Sequence, residues 1–390
     1  MKHFGCLLLF LIPAITPAAD FDKSNFQAHG TFAQGGLLSS HNDYLTAPTS
    51  AGTLQWTDGI LNAGVSLTDQ FRVGIQLHSY RLGSFGKFKV EVDWAYGEYR
   101  FKEWIGVRAG KVKTRLGLFN DTQDIDTLHL WALLPQGVYP ADNRSWTLAH
   151  TGGDVFGAIK LPWDAGRVSY QGYFGRRVVD SNGGYFRLAT DEGFAVKSGA
   201  SGLLYGGDLR WHTPLHGLTA GGSVGLAGIN AQVALPQIPY PLDIQSTSDT
   251  STALYGEFER GKFYAAGEFR RRIWNMSLTG LPTLLLSSDM RAWYVMGAYR
   301  VHRNVQVGTY YSHLYSPNYV VTRLLPFVFG NASSDWVVAT RFDPNPHVYL
   351  KLEGHYIDGN ATGGGFYPST NPGGPDRLTR LLVARIGFTF

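Results

Sequence analysis

Cysteine is almost absent, with a single residue, Cys6, in a chain of 390. A disulfide framework is thereby excluded, and no Cys/His spacing suits a zinc site. Charge is scarce too: Asp, Glu, Lys and Arg make up 16% of the chain, where soluble proteins carry about a quarter. The formal net charge of +4 and the lack of any Lys/Arg-rich block give no footing for nucleic acid. After the N-terminus no apolar run reaches the ~20 residues a membrane helix needs, so a helical inner-membrane protein is excluded. What is abundant is glycine, 48 residues, and aromatics, 14%.

The first twenty residues, MKHFGCLLLFLIPAITPAAD, open with Lys2, run apolar from Phe4 to Ile15 and end on small residues. This pattern predicts a secretory signal peptide over 1–19. Cys6 leaves with it, so the expected mature chain, 20–390, is exported and free of cysteine.

From residue 24 onward the chain falls into alternating stretches of roughly ten residues, the length of a tilted strand crossing a bilayer. We count sixteen: 24–34, 57–67, 71–80, 88–100, 104–113, 154–163, 167–178, 200–211, 218–230, 251–260, 262–274, 289–301, 304–315, 334–342, 347–358 and 378–390. The connections alternate between tiny, such as TDQ (68–70) and RG (260–261), and long, such as 235–250 and 359–377. That asymmetry matches a membrane barrel with short periplasmic turns and long external loops. The faces agree. In KFYAAGEFRRRI, Phe263, Ala265, Gly267 and Phe269 oppose Tyr264, Glu268, Arg270 and Arg272. In HVYLKLEGHY, Val348, Leu350, Leu352 and Tyr356 oppose Tyr349, Lys351, Glu353 and His355. Lipid outside and water inside explain both sets. Aromatics at strand ends (Trp104, Trp163, Trp211, Trp336, Phe390) fit headgroup girdles. The expected fold is all-β: a transmembrane antiparallel β-barrel of about sixteen strands.

Residues 114–153, between the fifth and sixth strands, form a connection of forty residues, and loops of that length are usually functional. It holds Arg115, Asp121, Asp124, Asp126, Asp142 and Arg144, and a stretch LHLWALLP that could form a helical turn. Such apolar content would aggregate if left in solvent. Folded into the lumen it would be hidden and would narrow the channel, so we expect a constriction loop. The wall should then supply counter-charge across the aperture. Inward parity selects the bases Arg72, Arg108, Lys160, Arg177, Arg210, Arg270, Arg272, Arg300, Arg341, Lys351 and Arg385. It selects the acids Glu91, Asp93, Asp208, Glu257, Glu259, Glu268 and Glu353. The slight excess of bases predicts weak anion preference or none. His29 and His78 are expected to face water.

Ser145 and His150 lie five apart and Ser312 and His313 are adjacent, but no G-x-S-x-G, H-E-x-x-H or phosphate-binding loop occurs. No enzyme, metal or cofactor is expected.

The stretches QAHGTFAQGGLLSSHNDY (27–44), VDWAYGEYRFKEWIGVRAGKVKTRLGLFNDTQDID (92–126) and LPQGVYP (134–140) resemble a family of Gram-negative porin-like outer-membrane proteins. That family is related in pattern to phosphate-selective and other trimeric sixteen-stranded porins. The glycine-rich strand Gly106–Lys113 and the segment Gly117–Asp124 carry the likeness. It implies passive diffusion of small hydrophilic solutes or ions through a homotrimer in outer-membrane lipid. Phosphate selectivity is not implied, since no arginine ladder or lysine cluster maps onto this sequence. The final Phe390 resembles the C-terminal aromatic by which barrel-assembly machinery recognises its clients. The expectation is thus a porin whose loop 114–153 filters by size and charge. The alternative is a non-conducting barrel serving as a surface attachment or assembly module.

Overall fold

The computed structural model describes residues 25–179, 186–191, 193–234, 238–279, 284–316, 330–361 and 364–390. The segment 1–19, expected to be a signal peptide, lies outside them. The strands are β1 (Phe26–Ser39), β2 (Thr53–Ser66), β3 (Phe71–Leu82), β4 (Val90–Lys102), β5 (Ile105–Lys113) and β6 (Ala149–Lys160). Next come β7 (Arg167–Val179), β8 (Ala195–Val196), β9 (Ala200–His212), β10 (Leu218–Ala227), β11 (Asn230–Ala234) and β12 (Leu242–Arg260). The last are β13 (Phe263–Thr279), β14 (Leu284–His302), β15 (Val305–Tyr315), β16 (Ala332–Asn345), β17 (Val348–Gly359) and β18 (Leu378–Thr389).

Among the described residues every pairing between these strands is antiparallel, and each long strand pairs with the neighbouring long strands in sequence. The two short strands β8 and β11 sit as additions at one rim, which leaves sixteen strands in the wall. The sheet closes where β1 meets β18, in register from Thr31↔Thr389 to Ser39↔Leu381. The closing seam continues to the last residue: Phe390 and Gly30 exchange both backbone hydrogen bonds at 3.1 Å. A closed ladder leaves no edge, as backbone in hydrocarbon requires.

Side chains obey the period of two. Leu382, Ile386, Phe388 and Phe390 are exposed on the outside, while Leu381, Val383 and Arg385 are buried inside. The same split holds in β17, where Leu350, Leu352 and Tyr356 face out and Tyr349, Lys351, Glu353 and His355 face in, all four buried. Charged residues can be buried there because a loop covers them.

Strand bounds differ from expectation on the side of the long loops. β1 extends to Ser39, and β12 begins at Leu242 rather than 251. β6 begins at Ala149, pairing with Lys113, so the long loop is 114–148 and not 114–153. Backbone pairing carries these extensions past the point where lipid-driven alternation ends.

Candidate functional site

Residues 114–148 leave β5 and return to β6, its neighbour. The base is stapled: Thr114 N–H donates to Leu148 O at 2.9 Å, and Asn120 Nδ2 donates to Thr114 O at 2.6 Å and Thr147 O at 2.8 Å. From there the loop turns into the lumen and touches the wall on several sides in succession.

The first leg crosses to β9, β10 and β13. Gly117 N–H donates to Ser223 Oγ at 2.7 Å, and Leu118 N–H to Glu268 Oε2 at 3.2 Å. In return Arg210 donates to Gly117 O at 3.2 Å and Arg270 to Leu116 O and Val138 O. Gly117 has φ +90°, and a Cβ there would lie 2.1 Å from Glu268 Oε1, so only glycine allows this approach. Asp121 bridges Arg115 (2.9 Å) and Arg210 (3.1 Å).

The second leg runs along β15–β18. Asp126 accepts from Lys351, from Arg385 Nε at 2.8 Å and from the Tyr349 hydroxyl. Burial would raise its carboxyl, but Arg385 and Lys351 together hold it below the usual carboxylate range. Arg341 donates to Thr127 O (2.6 Å) and His129 O (3.0 Å), and Lys351 to Trp131 O (2.9 Å). Trp131 meets Tyr310 edge-on, with ring centroids 5.0 Å apart. Glu353 accepts the backbone N–H groups of both Ala132 and Leu133. This is why LHLWALLP is not the helical turn expected. Two of its amides, those of Ala132 and Leu133, are taken by the wall, and the helical pieces are the short turns Asp126–Leu128, Ala141–Asn143 and α1 (Arg144–Thr147).

The third leg returns past β1–β4. Leu133 packs with Leu37, Trp56, Leu381 and Val383 and with Tyr44, Leu45 and Phe366 of two other loops. Arg144 grips Asp93 with both terminal nitrogens, at 3.2 and 2.6 Å, and contacts His78 at 2.5 Å. His78, expected to face water, is instead buried between Asp58 (3.0 Å) and Asp93 (3.7 Å). The loop's arginine covers it, and parity along β3 cannot report a cover from a distant loop. His29 is exposed, as expected. Asp142 is buried with one carboxylate oxygen lacking a partner, and burial pushes it up to about 6.

Between the loop and β1–β4 remains a cavity of about 120 Å³. Its charged lining is Asp58, Glu91, Asp93, Asp124 and Asp126 against Arg144 and Arg385, with His78 beside them. Arg385 links Asp58 and Asp126, each at 2.8 Å, and lies over the Trp56 ring at 4.2 Å.

The six loop residues named from sequence therefore all lie within the lumen. Of the wall residues, Arg210, Glu268, Arg270, Arg341, Lys351 and Arg385 contact the loop. Arg177 stacks on the loop's Trp146 ring at 4.7 Å. Arg108 pairs with Asp154 at 3.0 Å, Arg272 with Asp249 at 2.7 Å, and Glu257 meets Tyr264 at 3.5 Å. Lys160 and Arg300 are exposed at the short-turn end of their strands. Asp58, Trp56, Gln76 and Tyr139 were not singled out. Gln76 donates to Asp93 and Asp124 at 2.9 and 2.8 Å, and the Tyr139 hydroxyl binds Glu268. The inward parity of β2 and β3 was the available signal for all but Tyr139.

Barrel closure, an apolar exterior and a charged interior define a class: the chain has the fold of a sixteen-stranded transmembrane β-barrel. Solved structures of that class share its fold. OmpT, an outer membrane protein of Vibrio cholerae, aligns at TM-score 0.56 and 10% identity, covering 94% of this chain and 97% of that one. The outer membrane channel DcaP of Acinetobacter baumannii aligns at TM-score 0.56 and 11% identity, covering 95% and 99%. An anion-selective porin from Comamonas acidovorans aligns at 0.52 and 10%, covering 94% and 99%. No family model and no curated protein sequence matches the chain.

Proposed function

We propose that the protein is a porin: a narrow, water-filled channel for passive diffusion of small hydrophilic solutes, with residues 114–148 setting its bore. The observation that carries this reading is the fixed course of the loop across the lumen. Anchors on its amides (Glu268, Glu353) and its carbonyls (Arg210, Arg270, Arg341, Lys351) hold it against the wall while a cavity stays open beside β1–β4. The wall charges named from sequence then act twofold, most as anchors and a few as the field that a solute meets. Five acids and two arginines line the cavity, and on that basis we read the aperture as preferring cations, where counting over the whole barrel predicts weak anion preference or none. No catalytic step is part of this reading.

The name of one related-fold structure specifies a trimer of Vibrio cholerae OmpT, and we extend a trimeric assembly to this chain. Cleavage of 1–19 and recognition of Phe390 by the assembly machinery complete the proposal. A non-conducting barrel is the second reading. It draws on the packing of loops at the far mouth: Tyr44 against Phe366 (centroids 5.2 Å), and Arg187 over Tyr367 at 3.9 Å. Planar-bilayer recording of the purified protein separates the two. Stepwise conductance supports the channel, whereas a folded but silent barrel supports the module.

A further inference from the structure

The outer wall carries a charged site that no channel function uses. Arg271 on β13 and Arg291 on β14 stand directly opposite each other in register, on the parity that also exposes Phe269 and Val295 to lipid. Like charges in that relation repel. A single acid, Asp289, holds both: Arg271 donates to it through Nε (2.8 Å) and Nη2 (2.9 Å), and Arg291 through Nη2 (2.7 Å). The trio keeps a net positive charge, and both arginine side chains remain nearly half exposed, at 44% and 46%.

Its height is defined by the strands. Phe263 and Tyr299 face each other at the short turn, and the arginines stand eight residues above them. Eight residues at ~3.3 Å, tilted ~40°, rise about 20 Å, close to the ~25 Å of a barrel's apolar band. The pair therefore sits where the band ends on the external side. Directly beneath, Phe269 is in register with Trp293. The aromatics continue sideways through Tyr311 (5.2 Å from Trp293) to Trp336 (4.5 Å from Tyr311). Arg176 and Arg380 are exposed at comparable heights on β7 and β18. Aromatic faces below forked cations make a seat for acyl chains topped by an anionic head.

We propose that Arg271, Asp289 and Arg291 bind the phosphate of an outer-leaflet glycolipid. The exposed guanidinium edges present paired N–H donors, the geometry that receives a phosphate in bidentate fashion. The acid between them sets their spacing and leaves one positive charge for the ligand to neutralise. This site is independent of the channel reading.

The test uses the full-length folded protein in detergent and native mass spectrometry. It is titrated with bisphosphorylated lipid A, with the same lipid stripped of phosphate, and with inorganic phosphate. Stripping the phosphates, or changing Arg271→Gln with Arg291→Gln, should weaken binding about tenfold or more, as loss of charged hydrogen bonds implies. The pair Arg271→Lys and Arg291→Lys keeps charge but loses the fork, and should weaken binding about threefold. Heat-dependent gel migration checks that each variant is folded. Should the glutamine pair misfold, the lysine pair and the stripped lipid decide. Equal binding of stripped lipid, or wild-type affinity in the folded glutamine pair, overturns the proposal. Inorganic phosphate bound as tightly as the lipid would also overturn it, by showing a bare anion site. So would loss of subunit association with lipid binding unchanged, since the patch would then be a contact between copies.

Discussion

Glu353→Gln should loosen the lumen loop while the barrel's backbone ladder stays intact; on the wall it also weakens the 3.2 Å contact of Glu353 Oε2 with His355 Nε2. Glu353 accepts the amides of Ala132 and Leu133, in the middle of the loop's second leg. The substitution keeps the shape but turns one carboxylate oxygen into a donor. One amide then loses its acceptor and faces an N–H₂ group, while the other keeps a neutral, weaker bond. Hydrogen bonds to a charged partner contribute ~1.5–3 kcal/mol each, so attachment should weaken by about 2–4 kcal/mol. That corresponds to a roughly 30- to 1,000-fold rise in the detached population. The ladder pairings of β17 with β16 and β18 use backbone only, so the barrel itself should stay closed. Single-channel recording should show frequent brief upward excursions in conductance, absent from the wild type. An identical open-channel record from folded variant protein would refute both the anchoring role and the loop's place in the conducting path.

Deleting 120–140 should raise single-channel conductance severalfold, read in the same bilayer assay; an unchanged value would place the loop outside the conducting path. Asp58→Asn with Asp93→Asn removes two of the five cavity acids, and the reversal potential in a salt gradient should move toward anion permeation. Asp142 gives a dependence on pH. Its folded pKa of about 6 exceeds the ordinary 3.8, so the native state holds the proton more tightly, and its contribution to stability falls as pH rises from about 4 to about 6. Above that, Asp142→Asn should stabilise the loop by ~3 kcal/mol, with no gain near pH 4. His129, pulled down to about 4 by burial and Lys351, contributes in the opposite sense from pH 4 to 6.5. The difference between variant and wild type by hydrogen exchange of 114–148, rather than either profile alone, isolates Asp142. Finally, Phe390→Ala removes the exposed aromatic whose backbone completes the β1–β18 seam and should lower the yield of folded barrel in membranes, measured by heat-dependent gel migration.

Strands were legible because lipid and water impose opposite demands on alternating residues, and a period of two survives in a single sequence. Residues 149–153, AHTGG, have no such contrast, so the start of β6 was hidden. The inward charges of β13 and β17 were also readable, but their partners were not. Glu268 meets an amide 150 residues distant in the chain and Glu353 two amides 220 and 221 residues distant, and no pattern in either strand announces a backbone N–H as the ligand. A count of bases against acids cannot register such contacts, for the same reason. Arg210, Arg270, Arg341 and Lys351 turn their N–H groups toward loop carbonyls, while the acids around the cavity come from β2, β4 and the loop itself. His78 looked like a solvated lumen residue until Arg144 was seen to cover it.

Lys113 and Ala149 are ladder partners on adjacent strands, so the whole of 114–148 begins and ends at one point of the wall. Nothing in the barrel's ring of hydrogen bonds passes through it. The segment is in effect a removable insert in a finished cylinder. Different inserts could be threaded between the same two residues and tried as new apertures, with the cylinder's assembly left to the strands alone.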